Sequence, residues 1–138
     1  MSQTGNIFRK ILIADDEAVI ADTLAAILNE KGYKTTSVYS GREAILAAQS
    51  AEPDLLISDV GMGEISGVEA AILIQQRFPH CKVILLSGHP APSDQLGTGH
   101  ADGLTFDFLL KPVHPEVILR RVKQLESDSA KEHVKSAE

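Results

Sequence analysis

Apolar and polar positions along this chain alternate between two patterns. Short aliphatic runs read as buried strands: "KILIA" at 10–14, "DLLIS" at 54–58, "KVILLS" at 82–87 and "FDFLL" at 106–110. The β-branched run "KTTSVY" at 34–39 predicts one more. Between them lie segments with helical spacing. Residues 17–32, "EAVIADTLAAILNEKG", place Ile20, Leu24, Ile27 and Leu28 on one face and end on Gly32, a residue favoured just past a helix. "GREAILAAQSA" at 41–51 has a stripe of Ala44, Ile45 and Ala48, and "SGVEAAILIQQRF" at 66–78 is stopped by Pro79. "HPEVILRRVKQLE" at 114–126 carries Pro115 early, where a missing N–H costs little. Strands alternating with helices imply an α/β fold: a five-stranded, doubly wound parallel sheet with helices on both faces.

One segment breaks the rhythm. "GHPAPSDQLGTGHADGLT", residues 88–105, falls where a fourth helix is due, yet holds four glycines and two prolines. A glycine in a helix interior costs about 1 kcal/mol, so a weak or irregular fourth helix is expected, confined to about Ser93 to Leu96. From Glu126 onward the apolar pattern fades. The expected organisation is a flexible N-terminus at 1–7, one domain over 8–126, and a polar tail at 127–138 that is either a frayed helical extension or disordered.

Composition narrows the function. The net charge of -6 argues against a direct nucleic-acid binder, which needs a basic face. No apolar run approaches the roughly 20 residues that span a bilayer, and "MSQTGNIFRK" lacks a signal-peptide core, so a soluble, cytoplasmic protein without membrane insertion is expected. The single cysteine, Cys81, excludes an intramolecular disulfide and reads as a packed thiol. His80, His89, His100, His114 and His133 show no metal-type spacing, and His89 reads as a residue at the rim of the site.

The chemistry sits at the strand ends. In an open parallel sheet, ligands bind beyond the carboxyl ends of the strands. There the first strand runs into Asp15, Asp16 and Glu17, the third into Asp59, the fourth into Ser87 and the fifth into Lys111. Crowded acids repel one another and call for a positive partner. Lys111 is one, and a hard divalent cation such as Mg²⁺ suits the carboxylates as the other. A carboxylate beside a cation and an ammonium can attack phosphorus and form an aspartyl phosphate.

Four motifs in order carry a resemblance: "DD" at 15–16, "DVGM" at 59–62 with Gly67 following, "SG" at 87–88, and "KP" at 111–112. Over residues 9–125 the chain resembles a response-regulator receiver domain of two-component signalling, of the chemotaxis-regulator kind. The resemblance implies a flavodoxin-like sheet of order 2-1-3-4-5, which sets Asp16 beside Asp59. It implies Asp59 as phosphoacceptor. Asp16 and the Gly61 carbonyl, with Asp59, would ligate Mg²⁺, and Asp15 would act through water. Lys111 would bind the phosphoryl group, Ser87 and Phe108 would switch, and the Lys111–Pro112 bond would be cis. Implied partners are a sensor histidine kinase or histidine phosphotransfer domain and a downstream protein target. The implied activity is Mg-dependent self-phosphorylation from phosphodonors and autodephosphorylation only, in a chain short enough to act as a stand-alone receiver.

Plainer roles exist for some of these residues. Asp15 could cap a helix starting at Glu17, and Phe108 could be ordinary core. The chain departs from the family pattern at Gly63, where proline is usual, and at Gly61, where a side chain usually overhangs the phosphoryl site. The glycine-rich "GMGEISG" loop is expected to be mobile without metal. Two other functions compete: a receiver-like interaction module that is never phosphorylated, and a phosphohydrolase. The second is disfavoured because its two acids would stand two residues apart after the first strand, whereas here they are adjacent.

Overall fold

The computed structural model describes residues 7–88 and 106–137. Its elements are β1 (Lys10–Ala14), α1 (Ala18–Glu30), β2 (Lys34–Val38), α2 (Gly41–Ala51), β3 (Leu55–Asp59), α3 (Gly67–Arg77), β4 (Lys82–Ser87), β5 (Asp107–Leu110) and α4 (Pro115–Ala137). All strand pairs are parallel, in the order β2-β1-β3-β4-β5. The helix expected near Ser93, and with it His89 and His100, lies outside the described residues.

Alternation along the strands divides the core in two. Ile11, Ile13, Leu55, Ile57, Ile84 and Leu86 face α1 and α4, meeting Leu24, Leu28, Ile118 and Val122. Leu12, Ala14, Leu56, Val83 and Leu85 face α2 and α3, meeting Ala44, Ala48, Ala71 and Ile74. The three central strands are buried on both faces, which is why they read as unbroken apolar runs. On α1 the fully buried stripe is Ala21, Leu24, Ala25 and Leu28, while Ile20 and Ile27 are half-buried. Small alanines take the innermost positions because the helix packs close to the sheet.

Two helix boundaries decide between readings the sequence left open. Helix α1 begins at Ala18 with Glu17 as its N-cap, and Glu17 makes no side-chain capping bond. Asp15 is therefore not the cap. Its Oδ1 instead accepts the Glu17 N–H at 2.9 Å. Helix α4 continues past Glu126 to Ala137, so of the two readings of the tail the helical extension is the one found. Glu126 lies on the buried stripe in place of a hydrophobic residue. Its two oxygens accept the Phe8 N–H at 2.9 Å and the Tyr33 hydroxyl at 2.7 Å, so the carboxylate is buried but satisfied. This contact pins the last helix to the entry points of β1 and β2. Burial and the Glu126 carboxylate push the Tyr33 phenol well above its usual range. Cys81 is buried, and desolvation raises its thiol to about 12, consistent with a packed and unreactive sulfur.

Candidate functional site

Strands β1, β3, β4 and β5 deliver the parts of the site at their carboxyl ends. Asp15 follows β1 directly, and its N–H donates to the Val38 carbonyl of β2 at 3.1 Å. Its side chain is 1% exposed. Asp16, one residue on, is exposed. Asp59 is the last residue of β3, one position beyond the strand expected from sequence, so its carboxylate leaves from a position held by the sheet. Lys111 follows β5, and its N–H donates to the Ser87 carbonyl at the end of β4, 2.7 Å away. That bond ties the lysine to the hydroxyl-bearing residue of the neighbouring strand. Ser87 is itself buried.

The geometry brings these groups together. The Lys111 Nζ lies 3.1 Å from Asp15 Oδ2 and 3.2 Å from Asp59 Oδ1. Carboxylate oxygens of Asp15, Asp16 and Asp59 all lie within 4.8 Å of one another. Three carboxylates against one ammonium leave two negative charges, the amount that one divalent cation cancels. Hard oxygen donors at this spacing fit Mg²⁺. Both Asp15 oxygens are already engaged, by the Glu17 N–H and by Lys111, whereas Asp16 is open to solvent.

Protonation reflects the crowding. Burial raises the Asp59 carboxyl above its usual value, and the charges of Asp15 and Asp16 add to the effect; Lys111 opposes both and does not win. For Lys111, burial pulls the ammonium down, but its bonds to Asp15 and Asp59 outweigh that and leave it raised, hence charged at neutral pH.

The loop after Asp59 is held at several points. The Val60 N–H donates to the Leu86 carbonyl at 2.9 Å, and the Gly67 N–H donates to the Val60 carbonyl at 2.7 Å. Met62 is buried against the α2/α3 side of the sheet. Gly61 is exposed, and a Cβ on it would meet nothing within 4 Å. Gly63 has φ of +32° and so takes a conformation that glycine favours. Helix α3 then starts on a capping box in which Ser66 and Glu69 satisfy each other's backbone N–H groups.

The Lys111–Pro112 bond is cis. Phe108, on β5, is half-buried and packs against the α2/α3 side of the core. His80 and His114 are exposed. Sequence reasoning did not single out Ser58 or the closeness of Gly67. A Cβ on Gly67 would strike the Asp59 carbonyl oxygen. In sequence Gly67 stood only as the glycine that follows the "DVGM" motif, which gave no sign of this contact. Among the described residues, no helix is long and apolar enough to cross a membrane.

The chain matches the response regulator receiver domain over residues 11–123. It is 33% identical over 114 residues to the transcriptional regulatory protein YvrH of Bacillus subtilis, covering 82% of this chain and 47% of that protein. Among solved structures it is similar to the signal receiver domain of a signal transduction histidine kinase from Syntrophus aciditrophicus. That match has 34% identity and a TM-score of 0.74, and covers 87% of this chain and 91% of the other. The Vibrio cholerae chemotaxis protein CheY4 matches at 26% identity with a TM-score of 0.75, covering 84% and 97% respectively. The chain spans about half or less of the length of the curated relatives it matches.

Proposed function

We propose, for a chain that belongs to the response regulator receiver domain family, that Asp59 accepts a phosphoryl group from a histidine kinase or histidine phosphotransfer domain. The observation that carries this reading is the single ammonium of Lys111 lying between Asp15 and Asp59, with Asp16 beside them. An Asp59 carboxylate oxygen attacks phosphorus. The P–N bond to the donor imidazole breaks, and its electron pair returns to the ring nitrogen. Lys111 then donates to a phosphoryl oxygen and balances part of its charge. Asp16, Asp59 and the Gly61 carbonyl would hold Mg²⁺, with Asp15 acting through water, and the ion would neutralise charge on the phosphoryl oxygens. Ser87 adds a hydroxyl, and its hydrogen bond to the new group biases an existing two-state equilibrium. Phe108 follows that bias, and the signal leaves by the β4/β5 face, where Leu110 at the end of β5 stands exposed for a downstream protein partner.

The test is intact-mass analysis after incubation with phosphoramidate, with Mg²⁺ and with EDTA. One phosphoryl mass is expected with Mg²⁺ and none with EDTA, and peptide mapping should place it on the segment holding Asp59. No gain with Mg²⁺, or a gain mapped elsewhere, would reject the reading.

Gly61 leaves the acceptor open above the loop, so water reaches the acyl phosphate with little obstruction. A Cβ at Gly61 meets nothing within 4 Å, and Gly61→Asn is expected to lengthen the phosphoryl lifetime several-fold, read as decay of the phosphorylated mass. An unchanged lifetime would mean that the open space has no kinetic consequence.

A further inference from the structure

Ser58 is a buried hydroxyl that the acceptor chemistry does not use. It stands on β3 opposite Ala14 of β1 and Leu85 of β4, with no exposed surface, on the sheet face that packs against α2 and α3. A hydroxyl buried there without a partner would cost about 1–3 kcal/mol. It has one: Ser58 Oγ donates to the carbonyl oxygen of Asp59 at 3.1 Å. Gly67, the first residue of α3, lies over the same carbonyl. A Cβ on Gly67 would collide with that oxygen and stand 2.8 Å from Ser58 Oγ. Alanine at 58 would keep the position small but remove that donor.

We propose that Ser58 is a positioning residue for the acceptor: its hydroxyl holds the Asp59 carbonyl beneath Gly67 and so fixes the peptide from which the carboxylate is aimed at Lys111 and Asp16. This rests on the reading of Asp59 as phosphoacceptor. The carboxylate and the carbonyl belong to one residue, so rotation of that peptide moves both. A misaimed nucleophile loses rate steeply, because small displacements remove the near-attack geometry. The same peptide leads into Val60, whose carbonyl receives the Gly67 N–H, so the start of α3 is tied to the acceptor's backbone.

Three proteins decide it: wild type, Ser58→Ala and Ser58→Thr, the last keeping the hydroxyl. Two quantities are measured on each: the rate of labelling by phosphoramidate in saturating Mg²⁺, and amide hydrogen exchange at Gly67, with Ile84 in the core as the reference. Ser58→Ala is expected to label about tenfold more slowly. Its Gly67 amide should exchange at least several-fold faster while Ile84 is unchanged, and Ser58→Thr should stay within about twofold of wild type on both counts. A folded Ser58→Ala that labels at the wild-type rate overturns the proposal. So does a Ser58→Thr as slow as Ser58→Ala, which would make the effect one of packing. If the wild type takes no label at all, the phosphoacceptor reading fails instead. Exchange then judges the anchoring by itself: unchanged protection at Gly67 in Ser58→Ala overturns it, and lost protection upholds it.

Discussion

Asp59→Asn is expected to take up no phosphoryl group where the wild type is fully labelled, and to be more stable than the wild type in EDTA at neutral pH. The first effect follows from chemistry. An amide oxygen is a poor nucleophile toward phosphorus, and no other carboxylate in the cluster can replace Asp59. Asp15 has both oxygens engaged, and Asp16 lies exposed beyond the strand end. The second effect follows from linkage. Burial, helped by Asp15 and Asp16, raises the Asp59 carboxyl above the usual 3.8 despite the opposing pull of Lys111. Between the unfolded and folded values the folded chain binds the extra proton, so stability falls as pH rises through that window. The Asp59 contribution is fully present below the unfolded value and lost above the raised one. Asparagine, always neutral, escapes that loss. Urea midpoints of both proteins in EDTA at pH 4 and pH 7 check the sign, and the asparagine advantage should be larger at pH 7. An equal offset at both values would mean that Lys111 fully compensates the acceptor's charge. Label appearing on the variant would remove Asp59 as the acceptor.

Gly67→Ala is expected to cost about 3 kcal/mol, at the upper end of what overpacking usually costs. Propensity alone gives the opposite sign, since alanine is better than glycine in a helix by about 1 kcal/mol. Contact decides against propensity. The new Cβ would overlap the Asp59 carbonyl oxygen and lie 2.7 Å from its carbon and 2.8 Å from Ser58 Oγ. Two of these atoms are backbone in the central strand, so no flexible side chain can move aside. Relief requires α3 to lift from β3, and that shift moves the acceptor with it. The expected signature is a loss of roughly 10 °C in Tm together with slowed phosphorylation. Gly61→Ala is the matched control. It adds the same methyl one loop away, into open space, and should stay within about 0.5 kcal/mol of wild type. If Gly67→Ala is as stable as that control, α3 is less firmly seated on the acceptor strand than its contacts imply.

Much of the architecture was legible in advance because it follows from local rules. Apolar runs at 10–14, 54–58 and 82–87 alternate with helical stripes, and the resulting parallel sheet is the one observed. The acids and the lysine were legible for the same reason. They stand at strand ends, and a parallel sheet collects its strand ends along one edge. Asp15, Asp16, Asp59 and Lys111 converge as that rule requires.

Other features depend on distances between residues far apart in the chain, and no pattern of neighbours encodes those. At Glu126 the apolar pattern of the last helix fades. Its partners, Phe8 and Tyr33, are brought to it only by folding, and they let a buried carboxylate sit where the apolar stripe would otherwise continue. Asp15 could have capped the first helix, but that helix starts at Ala18, and Lys111, 96 positions away, takes the acid's second oxygen. Gly67 reads in sequence as an ordinary helix start, and Ser58 as an ordinary strand serine. By itself the sequence determined the order of elements, the faces they bury and the charged groups gathered at one edge, because periodicity and strand polarity are local. Tertiary structure alone decided which acids pair with the lysine, which helix presses on the Asp59 carbonyl and which hydroxyl donates to it. Those contacts depend on fractions of an ångström between elements, set by how the layers pack.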